Sequence, residues 1–313
     1  MISKKKNGIM IYTVSPYISE QQALELIGTF SKNANNYFII DHDADVFDED
    51  GKLILRFRKN VLTKSKLDIA YDNLISFAKA KSNNRGTPSG TEVGLRNPET
   101  NKSIASNIMG YFDMWTIGHN YMFKILKIPP PFNVRVCAFN EKFPEKWDNV
   151  IPLIKEIDRM YQKLIPANHK LQLAYATQTA YHIKGTSFTT VTTNKNLQTA
   201  FHIDAGDCTE GFGNLVVIER GKYSGAFTIF PRYKIGVDVR TGDFLAMDVH
   251  QVHGNTPIKL ESVDATRLSL VCYLRQNVYN KSKGSSDVDV KKNVETMSKL
   301  KKRFDIIKKK MIK

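Results

Sequence analysis

Between Leu171 and Leu274 the chain breaks into eight short stretches of strand-like composition, LQLAYAT, SFTTVTT, TAFHID, NLVVIE, AFTIF, IGVDV, DFLAM and LSLVCYL, with Gly, Asn or Pro in the turns between them. Eight short strands in about 105 residues is the spacing of a sandwich, barrel or jelly roll. No internal repeat accompanies it. At 313 residues the chain is long enough for two average domains, but β-rich folds commonly reach this size as one unit.

The flanks read differently. Ser19 with Gln22 three residues on, ahead of Ala23, Leu24 and Ile27, is a capping box opening a helix. Tyr37–Ile40 and Lys52–Arg58 are predicted to pair as a hairpin whose turn carries Asp50 and Gly51. The acids between them, DHDADVFDED, do not make a calcium loop, since the sixth position must be Gly and is Val46. Leu67, Ala70, Tyr71, Leu74, Phe77 and Ala78 have helical spacing and predict a helix on the sheet. A second helix is expected to open near Pro152, with Leu153, Ile154, Ile157, Tyr161, Leu164 and Ile165 on one face. Lys81–Asn107 is rich in Asn, Gly, Pro, Ser and Thr with Arg85, Arg96 and Lys102 interspersed, and reads as a long loop.

Lys and Arg total 46 against 31 acids, a net charge of +15, which suits a polyanionic partner such as nucleic acid. An AT-rich genome rich in lysine codons would give the same excess. Residues 288–313 hold ten cations against three acids, so +7 sits in the tail and +8 on the remainder. Val290, Val294, Met297, Leu300, Phe304, Ile307 and Met311 recur there every three or four residues, predicting a basic amphipathic helix docked on its own domain. Three scattered cysteines, Cys137, Cys208 and Cys272, point to a reducing, intracellular compartment without a disulfide framework. No window reaches the ~18 apolar residues of a membrane helix, and the N-terminus reads as neither signal peptide nor anchor, so no membrane partner is expected.

The chemistry lies in two stretches. In TAFHIDAGD, His202 and Asp204 are two apart, so on a strand they share a face. In LAMDVHQVHGNTP, His250 and His253 are three apart and on a strand would face opposite sides, so at most one can join them. Arg267 lies 14 residues beyond His253. Two histidines and one carboxylate with coordination positions left open is the donor set of non-haem Fe(II) oxygenases. An arginine nearby offers a planar fork for the distal carboxylate of a 2-oxoacid cosubstrate. A satisfied polar core is the alternative for the His-x-Asp pair alone, and a cupin or another metal jelly roll for the whole set.

The segments GTSFTTVTTNKNLQTAFHIDAGD, GNLVVIERGKYSGAFTIFPRY, RTGDFLAMDVHQVHGNTP and ATRLSLVCYL resemble the dioxygenase domain of the TET and J-binding-protein family. DGKLILRFRKNVL and SNIMGYFD extend the resemblance upstream, toward its viral, algal and protist branch. The resemblance implies an Fe(II)- and 2-oxoglutarate-dependent dioxygenase that uses O2 to oxidise the methyl group of 5-methylcytosine or thymine in DNA. It implies an α+β fold with a double-stranded β-helix (jelly-roll) core, flanking helices and a basic C-terminal helix. The corresponding organisation is a single domain over 1–313: a mixed α/β part over 1–166, the jelly-roll core over 167–279 and the basic helix over 280–313.

Position by position, the resemblance makes His202 and Asp204 metal ligands. The family's distal histidine precedes a proline by four residues, a register that selects His253 with Pro257 and leaves His250 a bystander. Arg267 falls on the arginine that binds 2-oxoglutarate, and Ser269 on a neighbouring polar contact. Tyr273 falls on a tyrosine that stacks on the flipped base. Arg275 stands where animal members carry a base-contacting histidine, a departure that leaves base discrimination open. Asp207 matches an aspartate of ascorbate-using algal members, which adds ascorbate as a candidate cosubstrate. A monomer acting on DNA is expected; the same chemistry on a prolyl or lysyl side chain, and a non-catalytic DNA-binding jelly roll, are the competing readings.

Overall fold

The computed structural model describes residues 1–78 and 106–311. The loop predicted over Lys81–Asn107 lies outside the described residues except for its last two positions. The N-terminal elements are β1 (Ile2–Lys6), β2 (Ile9–Val14), α1 (Glu20–Glu25), β3 (Phe38–Ile40), β4 (Ala44–Asp48), β5 (Leu53–Arg58) and α2 (Lys64–Leu74). Then come β6 (Ser106–Phe112), α3 (Ile117–Leu126), β7 (Arg135–Val136), α4 (Ala138–Lys142), α5 (Pro144–Leu164) and α6 (Pro166–Ala176). The remainder is β8 (Thr190–Lys195), β9 (Gly213–Arg220), β10 (Tyr223–Gly225), β11 (Thr228–Phe230), β12 (Ile235–Val237), β13 (Phe244–Met247), β14 (Gly254–Asn255), β15 (Ile258–Leu260), β16 (Thr266–Tyr273), α7 (Gln276–Ser282) and α8 (Asp287–Met311).

One large sheet runs β1-β2-β4-β5-β13-β9-β16-β8-β6-β7, a smaller one runs β14-β11-β12-β3, and β10 and β15 form a ribbon. Strand alternation assigns the two faces of the large sheet. Leu215, Val217, Leu245 and Met247 point inward and share a cluster with Phe230, Ile235 and Val237 of the small sheet. Their neighbours Val216, Ile218, Phe244 and Ala246 point outward, with Leu268, Leu270 and Cys272, to meet Leu67, Leu74, Leu153, Ile157 and Tyr161 of α2 and α5. With both faces covered, these strands become near-continuous apolar runs such as LVVI. The α+β jelly-roll class expected from sequence holds.

Several local expectations do not. LQLAYAT is helical, within α6, because Pro166 opens the helix at its first turn and the buried positions are His169, Gln172 and Ala176, spaced three and four. The helix expected to open near Pro152 opens at Pro144, and Pro152 lies inside it. An interior proline costs about 3 kcal/mol, which burial of Val150, Leu153, Ile154, Ile157 and Tyr161 outweighs at about 1.5–3 kcal/mol per large side chain. The predicted hairpin exists with a different first arm. Its partner for β5 is β4, formed by the acidic stretch itself, whereas β3 crosses to the small sheet and pairs parallel with β12. TAFHID contributes only an isolated bridge rather than a strand. The sheets are also not confined to 167–279, since β5 pairs with β13 and β6 with β8. The Ser19–Gln22 capping box forms as expected. The C-terminal helix also forms, with Met297, Leu300, Phe304 and Ile307 packed on Met122, Phe123 and Leu126 of α3. No described helix is long and apolar enough to cross a membrane.

Candidate metal and cosubstrate site

The inward face of β16 builds one wall of a cavity between the sheets. Arg267, Ser269, Val271 and Tyr273, each two residues apart, all line it. β8 runs antiparallel alongside, setting Asn194 opposite Ser269 and Thr192 opposite Val271. Thr192 and Asn194 also line the cavity, whose volume is about 860 Å³, within the range of small-molecule sites.

His202 and His253 approach the same cavity on two segments locked by the isolated bridge. Each main-chain N–H donates to the other's carbonyl, at 2.8 and 2.9 Å. The bridge brings the two imidazole centroids to 4.4 Å. Asp204, two residues past His202, is tied by its own N–H to the Val249 carbonyl at 3.0 Å. His202 Nδ1 lies 2.7 Å from the Ala200 carbonyl, and His253 Nδ1 lies 2.9 Å from the Gln251 carbonyl. A carbonyl only accepts, so both Nδ1 atoms carry the proton and both Nε2 atoms present a lone pair. Those Nε2 atoms lie 3.7 Å from the two oxygens of Asp204, one on each. One donor atom from each residue lies within 4.8 Å of the other two. The rings are buried and the carboxylate is partly open to the cavity. Two neutral imidazoles and a carboxylate form a donor set suited to a divalent first-row metal such as Fe(II).

His250 stays apart, and for a different reason from strand parity. β13 ends at Met247, and the chain turns over Val249–Gln251 before His253 enters its bridge. The turn holds His250 against Asp248, whose Oδ1 accepts from the His250 N–H at 3.0 Å and lies 3.2 Å from its ring. The hydrogen bond to Asp248 raises the His250 pKa above the ordinary histidine range.

Arg267 is only 4% exposed, and burial pulls its pKa below the usual arginine range. Its Nε finds no hydrogen-bond partner among the described residues. A buried guanidinium donor left without an acceptor on a cavity wall calls for an anion supplied from outside the chain. The carboxylate of a 2-oxoacid fits that requirement. Ser269, two residues along β16, lies on the same face.

Tyr273 is buried, with its hydroxyl 3.2 Å from Thr192 Oγ1. Asp207 also lines the cavity, its N–H bonded to the Asp204 carbonyl at 3.0 Å. Arg275, half-buried, also lines the cavity but is heavily committed. Its Nε donates to Asp113, and its guanidinium lies 4.3 Å from the Phe112 ring centroid. Burial alone would raise the Asp113 pKa, but the hydrogen bond and charge of Arg275, with Lys281, hold it below the usual carboxylate range. Gly206 in HIDAGD fits this arrangement, since a Cβ there would collide with the Arg275 guanidinium. All eight site residues expected from sequence therefore share one cavity. Sequence reading missed Asp113 and the polar strand face of Thr192 and Asn194. The signal for the latter was present, as polar side chains at alternate positions of a buried strand mark a cavity wall rather than core.

Two imidazoles and one carboxylate converging on a point, with the remaining space open, define the class of non-haem Fe(II) oxygenases. Within that class the chain belongs to the Tet_JBP family, the oxygenase domain of the 2OGFeDO superfamily, whose model matches residues 115–276. The chain is similar to the bifunctional helicase and thymine dioxygenase JBP2 of Leishmania major, 34% identical over 190 residues, 60% of this chain and 16% of that protein. It is 32% identical over 172 residues to the thymine dioxygenase JBP1 of Trypanosoma brucei brucei, 54% of this chain and 19% of that protein. The chain thus matches under a fifth of the length of either relative. Among solved structures, NgTET1 in complex with 5mC DNA aligns over 89% of this chain and 100% of that one, with a TM-score of 0.53 and 14% identity, a likeness of fold.

Proposed function

We propose that the protein is an Fe(II)- and 2-oxoglutarate-dependent dioxygenase that oxidises the methyl group of a methylated pyrimidine, 5-methylcytosine or thymine, in DNA. The observation that carries this reading is the convergence of His202, Asp204 and His253 in the cavity walled by Arg267. The names of the relatives, thymine dioxygenases, and the DNA-bound structural neighbour support the choice of substrate.

Iron bound with 2-oxoglutarate supplies the power to activate O2 and to hydroxylate an unactivated C–H bond. The chain supplies position. The two Nδ1–H···O=C bonds fix both imidazoles as Nε2 donors before metal arrives, so little ring reorientation accompanies binding. Asp204 supplies the anionic ligand. Arg267 receives the distal carboxylate of the 2-oxoacid, with Ser269 as a further polar contact. Tyr273 offers an aromatic wall to the base, and Arg275, held by Asp113 and Phe112, lines the same cavity. A methyl group inside a duplex cannot reach a cavity of this kind, so the base must be flipped or unpaired, at a cost of a few kcal/mol. Asp207 makes ascorbate a second candidate cosubstrate. The protein acts as a monomer on this reading.

The test is to measure succinate release with Fe(II) and 2-oxoglutarate in the presence of methylated DNA or of proline- and lysine-containing peptides, with a parallel ascorbate arm. Stimulation by DNA alone is expected. Stimulation by peptide alone would move the chemistry to a protein substrate. Stoichiometric DNA binding by a protein that takes up no iron would favour a mere binder.

A further inference from the structure

The cationic helix α8 packs on α3, whose Ile117 and Asn120 line the cavity. Its apolar stripe packs on α3 and on Trp115, which itself lines the cavity, and the Phe304 ring meets Tyr121 of α3 at 5.9 Å. The charge of Lys301 reaches His119 of α3 together with that of Arg135, a cavity-lining residue. Between Lys299 and Lys310 the helix carries seven cations, Lys299, Lys301, Lys302, Arg303, Lys308, Lys309 and Lys310, against the single acid Asp305. All seven are exposed, and among the described residues none of them is in a salt bridge. The triplets Lys301–Arg303 and Lys308–Lys310 are seven residues apart, two helical turns, so they repeat over the same sides of the helix about 10 Å along its axis. Next to α8 the rim carries exposed apolar side chains, Met114 at 58% and Ile117 at 65%.

We infer that the exposed face of α8 is a phosphate-binding rail that seats duplex DNA across the cavity entrance. The inference rests on the DNA reading above and adds the surface that holds the polymer. Charge complementarity selects the occupant, because a dense row of unpaired cations suits a polymer bearing one negative charge per ~1.7 Å. An anionic membrane is the weaker fit. An interfacial helix needs a free apolar face, and here that stripe is covered by Met122, Phe123 and Leu126. The exposed apolar residues of α8, Val288, Val294, Ile306 and Met311, do not form a stripe either, because their successive spacings of six, twelve and five residues turn each one ~120–140° from the last.

The experiment compares two variants of the full chain that each remove three positive charges. One is Lys301→Gln/Lys302→Gln/Arg303→Gln on α8. The other is Lys4→Gln/Lys5→Gln/Lys6→Gln on β1, where all three lysines are exposed as well. Binding to a methylated duplex is measured without iron over a range of salt, so the result does not depend on whether the protein oxidises DNA. With a slope of about −0.9 per phosphate neutralised, the α8 variant should lose two to three units of slope and on the order of tenfold in affinity. The β1 variant should stay within twofold of wild type. Thermal unfolding and DNA-independent 2-oxoglutarate turnover should be unchanged in both. Equal losses in the two variants would reduce the effect to net charge and overturn the rail, as would no loss in either. Wild-type binding to phosphatidylserine vesicles as tight as to DNA, lost in the α8 variant, would reassign the surface to membranes.

Discussion

Replacing Arg267 by Met separates cosubstrate binding from stability. The side chain is 4% exposed and its Nε has no acceptor among the described residues, so in the free protein the charge is desolvated without full compensation. Removing such a group in favour of an apolar side chain of similar length is neutral or stabilising. Removing one partner of a buried, hydrogen-bonded charge pair costs 2–5 kcal/mol of binding, about 30-fold to several thousand-fold in affinity for 2-oxoglutarate. The assay is thermal unfolding of the anaerobic Fe(II) protein with and without 2-oxoglutarate. A ligand at 100 times its Kd stabilises by ~2.7 kcal/mol, a rise of several degrees for a protein of this size. Wild type should show that rise. The variant should unfold within about 2 °C of wild type without ligand and show no rise with it. A variant that unfolds much earlier, yet keeps its response to 2-oxoglutarate, would refute the assignment and make Arg267 a structural residue.

Three further outcomes follow from the geometry. His253→Ala should abolish metal uptake and turnover, whereas His250→Gln, which keeps a polar partner for Asp248, should bind metal stoichiometrically and cost under ~1 kcal/mol in denaturant unfolding. Gly206→Ala should displace the Arg275 guanidinium from Asp113 and raise KM for DNA more than KM for 2-oxoglutarate, as steady-state kinetics with each varied in turn would show. Burial, then the charges of Arg135, Lys301 and Lys142, lower the His119 pKa to about 4. The unfolded imidazole takes up its proton near pH 6.5, before the folded one does, so stability should fall as pH drops from about 6.5 to 4 and level off below. His119→Gln should flatten that window in urea titrations, by ~1–2 kcal/mol once partial solvent access is discounted.

Much of the site was legible because its chemistry repeats at short range. His202 and Asp204 are two apart, so strand alternation placed them on one face, whereas Ser269, Tyr273 and the role of Arg267 came from the family resemblance, and the structure sets all three on one face of β16. The strands β9, β11, β12, β13 and β16 were legible for the same reason. What escaped depended on distant partners. Leu171 and Leu173 alternate like a strand, but Pro166 and the packing of His169 and Gln172 make that segment a helix. The acids of ADVFD gave no strand signal, yet β5 on one side and β2 on the other recruit them. Asn7-Gly8, both at positive φ, form the two-residue turn between β1 and β2, a signal local to the sequence. The structure brings His253 rather than His250 to His202 and Asp204, and strand parity is not the cause. The turn after β13 and the reciprocal bridge to His202 make the selection, and neither is visible in spacing alone.

Whether this cavity oxidises a pyrimidine methyl group is decided by nucleoside mass spectrometry of duplex DNA carrying 5-methylcytosine and thymine, incubated with Fe(II), 2-oxoglutarate and O2. Wild-type protein should yield a hydroxymethylated pyrimidine and His202→Ala none. Succinate formed in full without any modified nucleoside, or an identical product from His202→Ala, would contradict it.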